Sequence, residues 1–204
     1  MNDSLKRLQL DYVDIYYAHR FDDTVALEET VNALDQTVRD GKALYIGISN
    51  YDTKQTKEAI AMFKDLHTPF VLNQYSYNMF NRTAETSGLI NALKADGAGL
   101  IAYGPLSEGL LSDRYLKGIP DTFKIHPTNK ATFAKGKEAV VKQLNALNEI
   151  AHDRDQTLSQ MALAWLLRDP VVTSVIIGTT SVEHLQDNLK ACLLYTSPSP
   201  RDRS

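Results

Sequence analysis

Short runs rich in β-branched and aromatic residues alternate along the chain with amphipathic stretches of helical period. The runs, read as strands, are Tyr12–Tyr17, Ala43–Ile48, Phe70–Leu72, Gly99–Tyr103 and Ser174–Ile177. Between the first two, Leu27, Val31, Leu34 and Val38 share one face of a helix. Glu28 and Glu29 lie in its first turn and Gly41 lies past its end, as the helix dipole and the C-terminal glycine preference favour. Further helices are expected over Thr53–Leu66, Glu85–Ala95, Lys137–His152, Leu158–Arg168 and Ser181–Lys190. The Leu158 helix closes just before Asp169-Pro170.

The first four strands begin near residues 12, 43, 71 and 100, about 30 residues apart, with no hairpin signal between them. Repeated βα units of this length build either an open doubly wound sheet or a closed barrel. The last interval is longer and holds a polar loop, Ser112–Asn129, after the fourth strand. Loops at strand C-terminal ends are where barrel enzymes place ligand contacts.

Both ends are atypical. The chain opens inside a helical pattern, Ser4–Leu8, and five strands are fewer than the eight a closed barrel needs. At the other end Cys192–Asp202 reads as the translation of a transposase sequencing adaptor. Residues 192–204 are therefore expected to be non-native, a scar of sequence assembly, with 1–191 native and Met1 an internal methionine; a natural disordered tail is the competing reading.

Composition adds limits. With 43% hydrophobic and 23% charged residues, the chain resembles an ordinary soluble globular protein. No apolar run approaches the ~20 residues of a membrane span, and the N-terminus lacks a signal peptide's apolar stretch. A net charge of -3 argues against nucleic acid as a partner. A single cysteine, Cys192, excludes an internal disulfide and any multi-cysteine metal site. A cytoplasmic location is expected.

The general motifs of chemistry are missing. There is no G-x-G-x-x-G after a strand, no phosphate-binding lysine loop, no H-E-x-x-H and no G-x-S-x-G. The histidines have no metal-ligand spacing. Asp11 and Asp14, three residues apart at a strand's start, point to opposite faces and do not form a carboxylate pair. The strand ends are more informative. His19 follows the first strand, Ser49-Asn50 the second, Asn73-Gln74 the third and Tyr103-Gly104-Pro105 the fourth, which suggests one shared site. Each also has a plain structural reading: a surface histidine, a core tyrosine, or Asn50 as the cap of the helix beginning near Thr53.

At these positions the chain resembles the aldo-keto reductases. Leu10–Arg20 resembles the family's fourth-strand motif, and Gly41–Asn50 its G-K-x-R-x-x-G-V-S-N segment. Asn73-Gln74 with Tyr77-Asn78 resembles N-Q-x-x-Y-N, and Ala102–Leu111 resembles A-Y-S-P-L-x-x-G-L-L. Gln160–Leu166 and Ile177–Asn188 are similar to the last two segments. The likeness runs from about Ser4 to Ala191, in the family's order and spacing. It is nearest the branch of the bacterial glyceraldehyde phosphate reductases and the potassium-channel β subunits, from His19-Arg20 and the Gly118-Ile119-Pro120 loop.

The resemblance implies an α/β fold, a (β/α)8 TIM barrel present as about strands 4–8. It implies reduction of small carbonyl substrates by hydride transfer from NADP(H), with a Tyr proton donor supported by Lys, Asp and His. Of these four only the His is matched, as His19, which would hydrogen-bond the substrate carbonyl; the others belong to earlier strands, so the chain alone is expected to be inactive. Ser49, Asn50 and Gln74 match the residues that hold the nicotinamide carboxamide, and Tyr103 the aromatic that stacks on its ring. Gly104, Pro105, Leu106 and Gly109 match the loop lining the pyrophosphate, with Arg114 beside it. Gly178, Thr180, His184, Asp187 and Asn188 match the turn at the adenosine end. Two departures weaken the preference for NADP over NAD. Lys124 stands where this branch carries Arg, so bidentate phosphate recognition is lost there, and His184 stands where Gln is expected.

A catalytic reductase is the leading reading. A non-catalytic NADP(H)-binding regulatory subunit is the second; channel β subunits tend to carry Asn at the position of His19. An unrelated barrel hydrolase is the third. No membrane partner is expected, and the substrate's identity and an oligomeric state are left open.

Overall fold

The structure is a computed structural model that describes residues 1–194. Its elements run α1 (Asn2–Leu8), β1 (Val13–Ala18), α2 (Leu27–Arg39), β2 (Ala43–Ser49), α3 (Thr53–Asp65), β3 (Phe70–Ser76), α4 (Thr83–Thr86), α5 (Leu89–Asp96), β4 (Gly99–Tyr103), α6 (Lys137–His152), α7 (Leu158–Leu167), β5 (Val172–Ile176) and α8 (Val182–Leu194). The strands form one sheet in the order β1-β2-β3-β4-β5, and the β1/β2 and β2/β3 pairs are parallel. Each strand thus lies beside its predecessor, the order of a barrel's βα repeat rather than of an open doubly wound sheet.

The chain divides into two compact units, one of Met1–Tyr75 with Thr83–Ile101, the other of Ser76–Arg82 with the chain from Ala102. In the first, the apolar stripe of α2 meets the sheet: Val31 and Leu34 bury with Ile46 and Ile48 of β2 and Ala59 and Phe63 of α3. Leu27 and Val38 flank the same cluster, so the four positions read as one face do face inward. In the second, Leu110 and Leu111 bury against Val140 and Leu144 of α6 and Leu158, Met161 and Ala162 of α7.

Several elements depart from the expected boundaries. β3 runs on from Leu72 to Ser76, so Asn73 and Gln74 lie inside the strand rather than after it. The helix expected over residues 85–95 is two helices, because Gly88 takes a left-handed φ of 81° and separates α4 from α5. β5 starts at Val172 rather than Ser174. Nor is the loop after β4 purely polar: Tyr115, Leu116, Ile119 and Phe123 pack on the second core, and single 3₁₀ turns form at Asp113–Tyr115 and Pro127–Asn129. Lastly, α8 continues through Cys192 to Leu194, past the expected end at Lys190, since Ala191–Leu194 hold no proline or glycine to stop it. Residues 195–204, most of the stretch set aside as a tail, lie outside the described residues.

Two polar and steric details brace the first unit. Asp35, buried on α2, accepts from Thr68 Oγ1 at 2.6 Å and from Arg39 Nε at 2.7 Å, while Arg39 also donates to the Leu66 carbonyl at 2.8 Å. The Thr68 hydroxyl, and after it Arg39, holds the Asp35 carboxyl below its ordinary value against the opposing effect of burial. A lowered folded-state value means the charge stabilises the fold above the ordinary carboxylate range and ceases to as pH falls through it. Asp35→Asn is therefore expected to cost about 1–3 kcal/mol at neutral pH. In urea melts its deficit against the native chain should shrink between about pH 5 and about pH 3; a deficit constant across that range would contradict this.

At Gly47 of β2, an added Cβ would lie 2.8 Å from Tyr17 Cε1 and 3.2 Å from Leu72 Cδ1. Here β2 and β3 also slip in register between Ile46 and Gly47. Gly47→Ala forces the half-buried Tyr17 ring aside and should lower stability by about 1–3 kcal/mol, read as a shift of the thermal midpoint.

Candidate active site

The C-terminal ends of β1, β2 and β3 are tied together by side chains. β2 ends at Ser49, and the chain leaves the sheet through Asn50 at a left-handed φ of 61°. The Ser49 hydroxyl, itself only 2% exposed, donates to the Gln74 carbonyl at 3.0 Å, and the Asn50 amide N–H donates to the same carbonyl at 3.0 Å. The Asn50 side-chain amide donates to the His19 carbonyl and to Ser49 Oγ, both at 3.1 Å. Thus His19, Ser49, Asn50 and Gln74, four of the residues picked out by sequence, form one hydrogen-bonded group. The His19 ring is exposed just past β1, held in place through its backbone rather than its imidazole.

Asn50 is not a helix cap. Asp52 caps α3, accepting from the Gln55 amide at 2.8 Å while Gln55 Oε1 accepts from the Asp52 amide at 2.9 Å. Asn50 is thereby left to the strand-end group.

Beneath the turn sits Asn73 of β3, fully buried at 0% exposure. Its amide donates at 3.0 Å to the Tyr51 carbonyl and at 3.0 Å to Thr56 Oγ1, and Thr56 in turn donates to the Tyr51 carbonyl at 3.3 Å. The Asn73 Oδ1 atom is buried with no hydrogen-bond partner, which costs about 1–3 kcal/mol. Burial pushes the Tyr17 and Tyr51 phenols above their ordinary value of 10.0, so both stay protonated near neutral pH. An open pocket of about 300 Å³ adjoins the group, lined by Arg20, Phe21, Asp23, Asn50 and Gln55.

In the second unit, β4 ends at half-buried Tyr103, and a tight turn follows. Gly104, Ser107, Glu108 and Gly109 all have left-handed φ, of 62°, 51°, 59° and 80°. Two non-glycine residues in that region mark stored strain. The turn is braced from outside: Asn78 Nδ2 donates to the Gly104 carbonyl at 2.9 Å, and buried Ser107 donates to Asn129 Oδ1 at 2.7 Å. Pro105 is buried and the Leu106 side chain packs on the core, leaving backbone as what Leu106 can offer a ligand. Arg114 and Lys124 are exposed on the loop that follows.

Gly178, Thr180 and His184 are exposed around the start of α8. Asp187 and Asn188 are placed otherwise. Both Asp187 oxygens are occupied, one by Thr157 Oγ1 at 2.9 Å and one by Gln160 Nε2 at 2.6 Å, and these donors are the capping box of α7. Asn188 is only 7% exposed. Asp187 thus fastens α8 to the start of α7.

Sequence reading singled out neither Ser107 nor Asn129, which sit at opposite ends of the loop and carried no signal before their pairing was known. Asn73 was noted only as a strand-end neighbour of Gln74. Among the described residues there is no group of three or more His, Cys, Asp or Glu side chains able to hold a metal, and no helix long and apolar enough to cross a membrane.

An α/β sheet of parallel strands whose ends converge on polar groups fits many enzymes; comparison with known proteins resolves which. The chain belongs to the aldo/keto reductase family, whose model matches residues 1–199. A crystal structure of the thermostable aldo-keto reductase Tm1743 with the inhibitor epalrestat superposes with a TM-score of 0.73 at 33% identity, covering 98% of this chain and 61% of that one. Among curated relatives, L-glyceraldehyde 3-phosphate reductase of Escherichia coli (strain K12) is 44% identical over 195 residues, 94% of this chain and 56% of that protein. A probable voltage-gated potassium channel subunit beta of Oryza sativa subsp. japonica is 37% identical over 193 residues, 92% of this chain and 58% of that protein. The chain spans little more than half the length of these relatives.

Proposed function

We propose that this chain contributes the cofactor-holding part of an NADP(H)-dependent oxidoreductase that reduces aldehydes or ketones to alcohols. The observation carrying this reading is the hydrogen-bonded group of His19, Ser49, Asn50 and Gln74 at adjacent strand ends. Bound NADPH supplies the hydride; the residues here hold, orient and polarise. Ser49, Asn50 and Gln74 hold the carboxamide of the nicotinamide, whose paired donor and acceptor suit amide and hydroxyl side chains. Tyr103 stacks on the ring. Backbone of Gly104, Pro105, Leu106 and Gly109 lines the pyrophosphate, with Arg114 and Lys124 supplying charge. Gly178, Thr180 and His184 meet the adenosine end where the N-terminus of α8 favours a phosphate, while Asp187 and Asn188 act by fixing α8. The His19 imidazole donates to the carbonyl oxygen and stabilises charge developing there.

The chemistry belongs to the whole protein. The Tyr, Lys and Asp that complete the family's set are proposed to belong to strands before those of this chain, so the chain alone is proposed to be inactive. A small phosphorylated aldehyde is the first substrate to try, from the name of the Escherichia coli relative, and the cytoplasm is the proposed location. The name of the channel-subunit relative supports a second reading, a regulatory subunit that binds NADP(H) without turnover. NADPH fluorescence titration of the full polypeptide, followed by aldehyde-dependent NADPH oxidation, separates them. Binding with turnover supports the reductase, binding without turnover the regulator, and absence of binding removes both.

A further inference from the structure

Asn73 holds a place where packing alone would favour a hydrocarbon. It is 0% exposed, between the sheet and α3, and Oδ1 has no partner. A buried amide left half-satisfied is expensive, and such a group in a folded chain calls for an explanation. What the side chain does is hold the Tyr51 carbonyl, together with Thr56. That carbonyl belongs to the residue directly after Asn50, whose left-handed φ of 61° turns the chain out of the sheet. Two side-chain donors, Asn73 and Thr56, therefore pin the far side of the turn, while its near side is pinned by the Gln74 carbonyl.

Resting on the cofactor assignment above, we propose that Asn73 is a positioning residue for nicotinamide binding. It touches neither cofactor nor substrate. It fixes the turn at Asn50, and so the aim of the Ser49 and Asn50 side chains and the tie from Asn50 to the His19 carbonyl. A hydrocarbon of equal size would keep the core filled and release the Tyr51 carbonyl from one of its two donors. The turn could then relax toward an ordinary φ, and the carboxamide would be held by a looser set of groups. A loosely held ring also presents its wrong face to the substrate part of the time, which a purely structural residue would not cause.

The test uses the full polypeptide and the variants Asn73→Leu, Asn50→Ala and the double variant. Asn73→Leu is expected to melt no more than a few degrees from the native protein, yet to bind NADPH about 10-fold more weakly by fluorescence. With NADPH deuterated on one face of C4, it should transfer a measurable fraction of hydride from the wrong face. Because Asn73 acts through Asn50, adding Asn73→Leu to Asn50→Ala should change NADPH affinity less than twofold, a strongly non-additive cycle. Should Asn73→Leu fail to fold, Thr56→Val, which removes the other donor to the same carbonyl, carries the same expectations. Unchanged affinity and stereochemistry in a folded variant, or additive effects, overturn the proposal. If the native protein itself binds no NADPH, it is the cofactor assignment that fails.

Discussion

Replacing His19 with alanine in the full polypeptide should lower kcat/KM for an aldehyde by about 10²- to 10⁴-fold, the usual contribution of a positioned proton-transfer or polarising group. NADPH affinity should stay within about twofold. The two expectations separate because of how His19 is attached. Its backbone carbonyl accepts from Asn50, and alanine retains that carbonyl, so the cofactor-holding group survives. Its ring is exposed, so its removal leaves the packing of the fold in place. Steady-state kinetics with an NADPH titration alongside decide the matter. A loss of less than about threefold in kcat/KM would remove His19 from the chemistry, and a parallel loss of affinity would make it a structural residue instead.

Tyr103→Ala should weaken NADPH binding by about 5- to 150-fold, corresponding to the ~1–3 kcal/mol of one aromatic ring stacked on one base. Tyr103→Phe should bind within about twofold of the native protein, because the face of the ring rather than its hydroxyl is engaged. Alanine leaves the backbone at the end of β4 in place, including the bond from the Tyr77 amide to the Tyr103 carbonyl at 3.4 Å. The strained turn after it should persist as well. Equal affinities for alanine and phenylalanine variants would place the nicotinamide elsewhere.

Much of this was readable before any coordinates. Short runs of β-branched and aromatic residues marked the strands, and Leu27, Val31, Leu34 and Val38 marked the buried face of α2, because apolar spacing responds directly to burial. Strand-end logic also gathered His19, Ser49, Asn50 and Gln74, since a parallel βα repeat puts all C-terminal ends on one side. What sequence did not disclose was how polar groups are paired across distance. Asp35 lies within an amphipathic helix, and nothing local marks its bonding until Thr68, 33 residues on, is found against it. Asn50 resembles a cap until its side-chain amide is found on the His19 carbonyl, 31 residues back. Asp187 resembles a ligand group until both its oxygens are found occupied. In each case the local pattern permits two roles, and a partner remote in sequence selects one. Gly88 differs: its helix-splitting φ was available as a glycine signal, but the apolar period on either side outweighed it.

The strand order β1-β2-β3-β4-β5 has a consequence for how the chain is made. Every strand joins the edge formed by the one synthesised just before it, so no segment has to wait for a later one to be inserted beside it. Through β4 each new pairing closes a loop of about 30 residues, short enough to form as the polypeptide emerges. The exception is β5, which must wait for the whole segment holding α6 and α7. Ribosome-stalled chains long enough for β4 to have left the exit tunnel should therefore already resist proteolysis across β1 to β4, with the remainder protected only after α7 is complete.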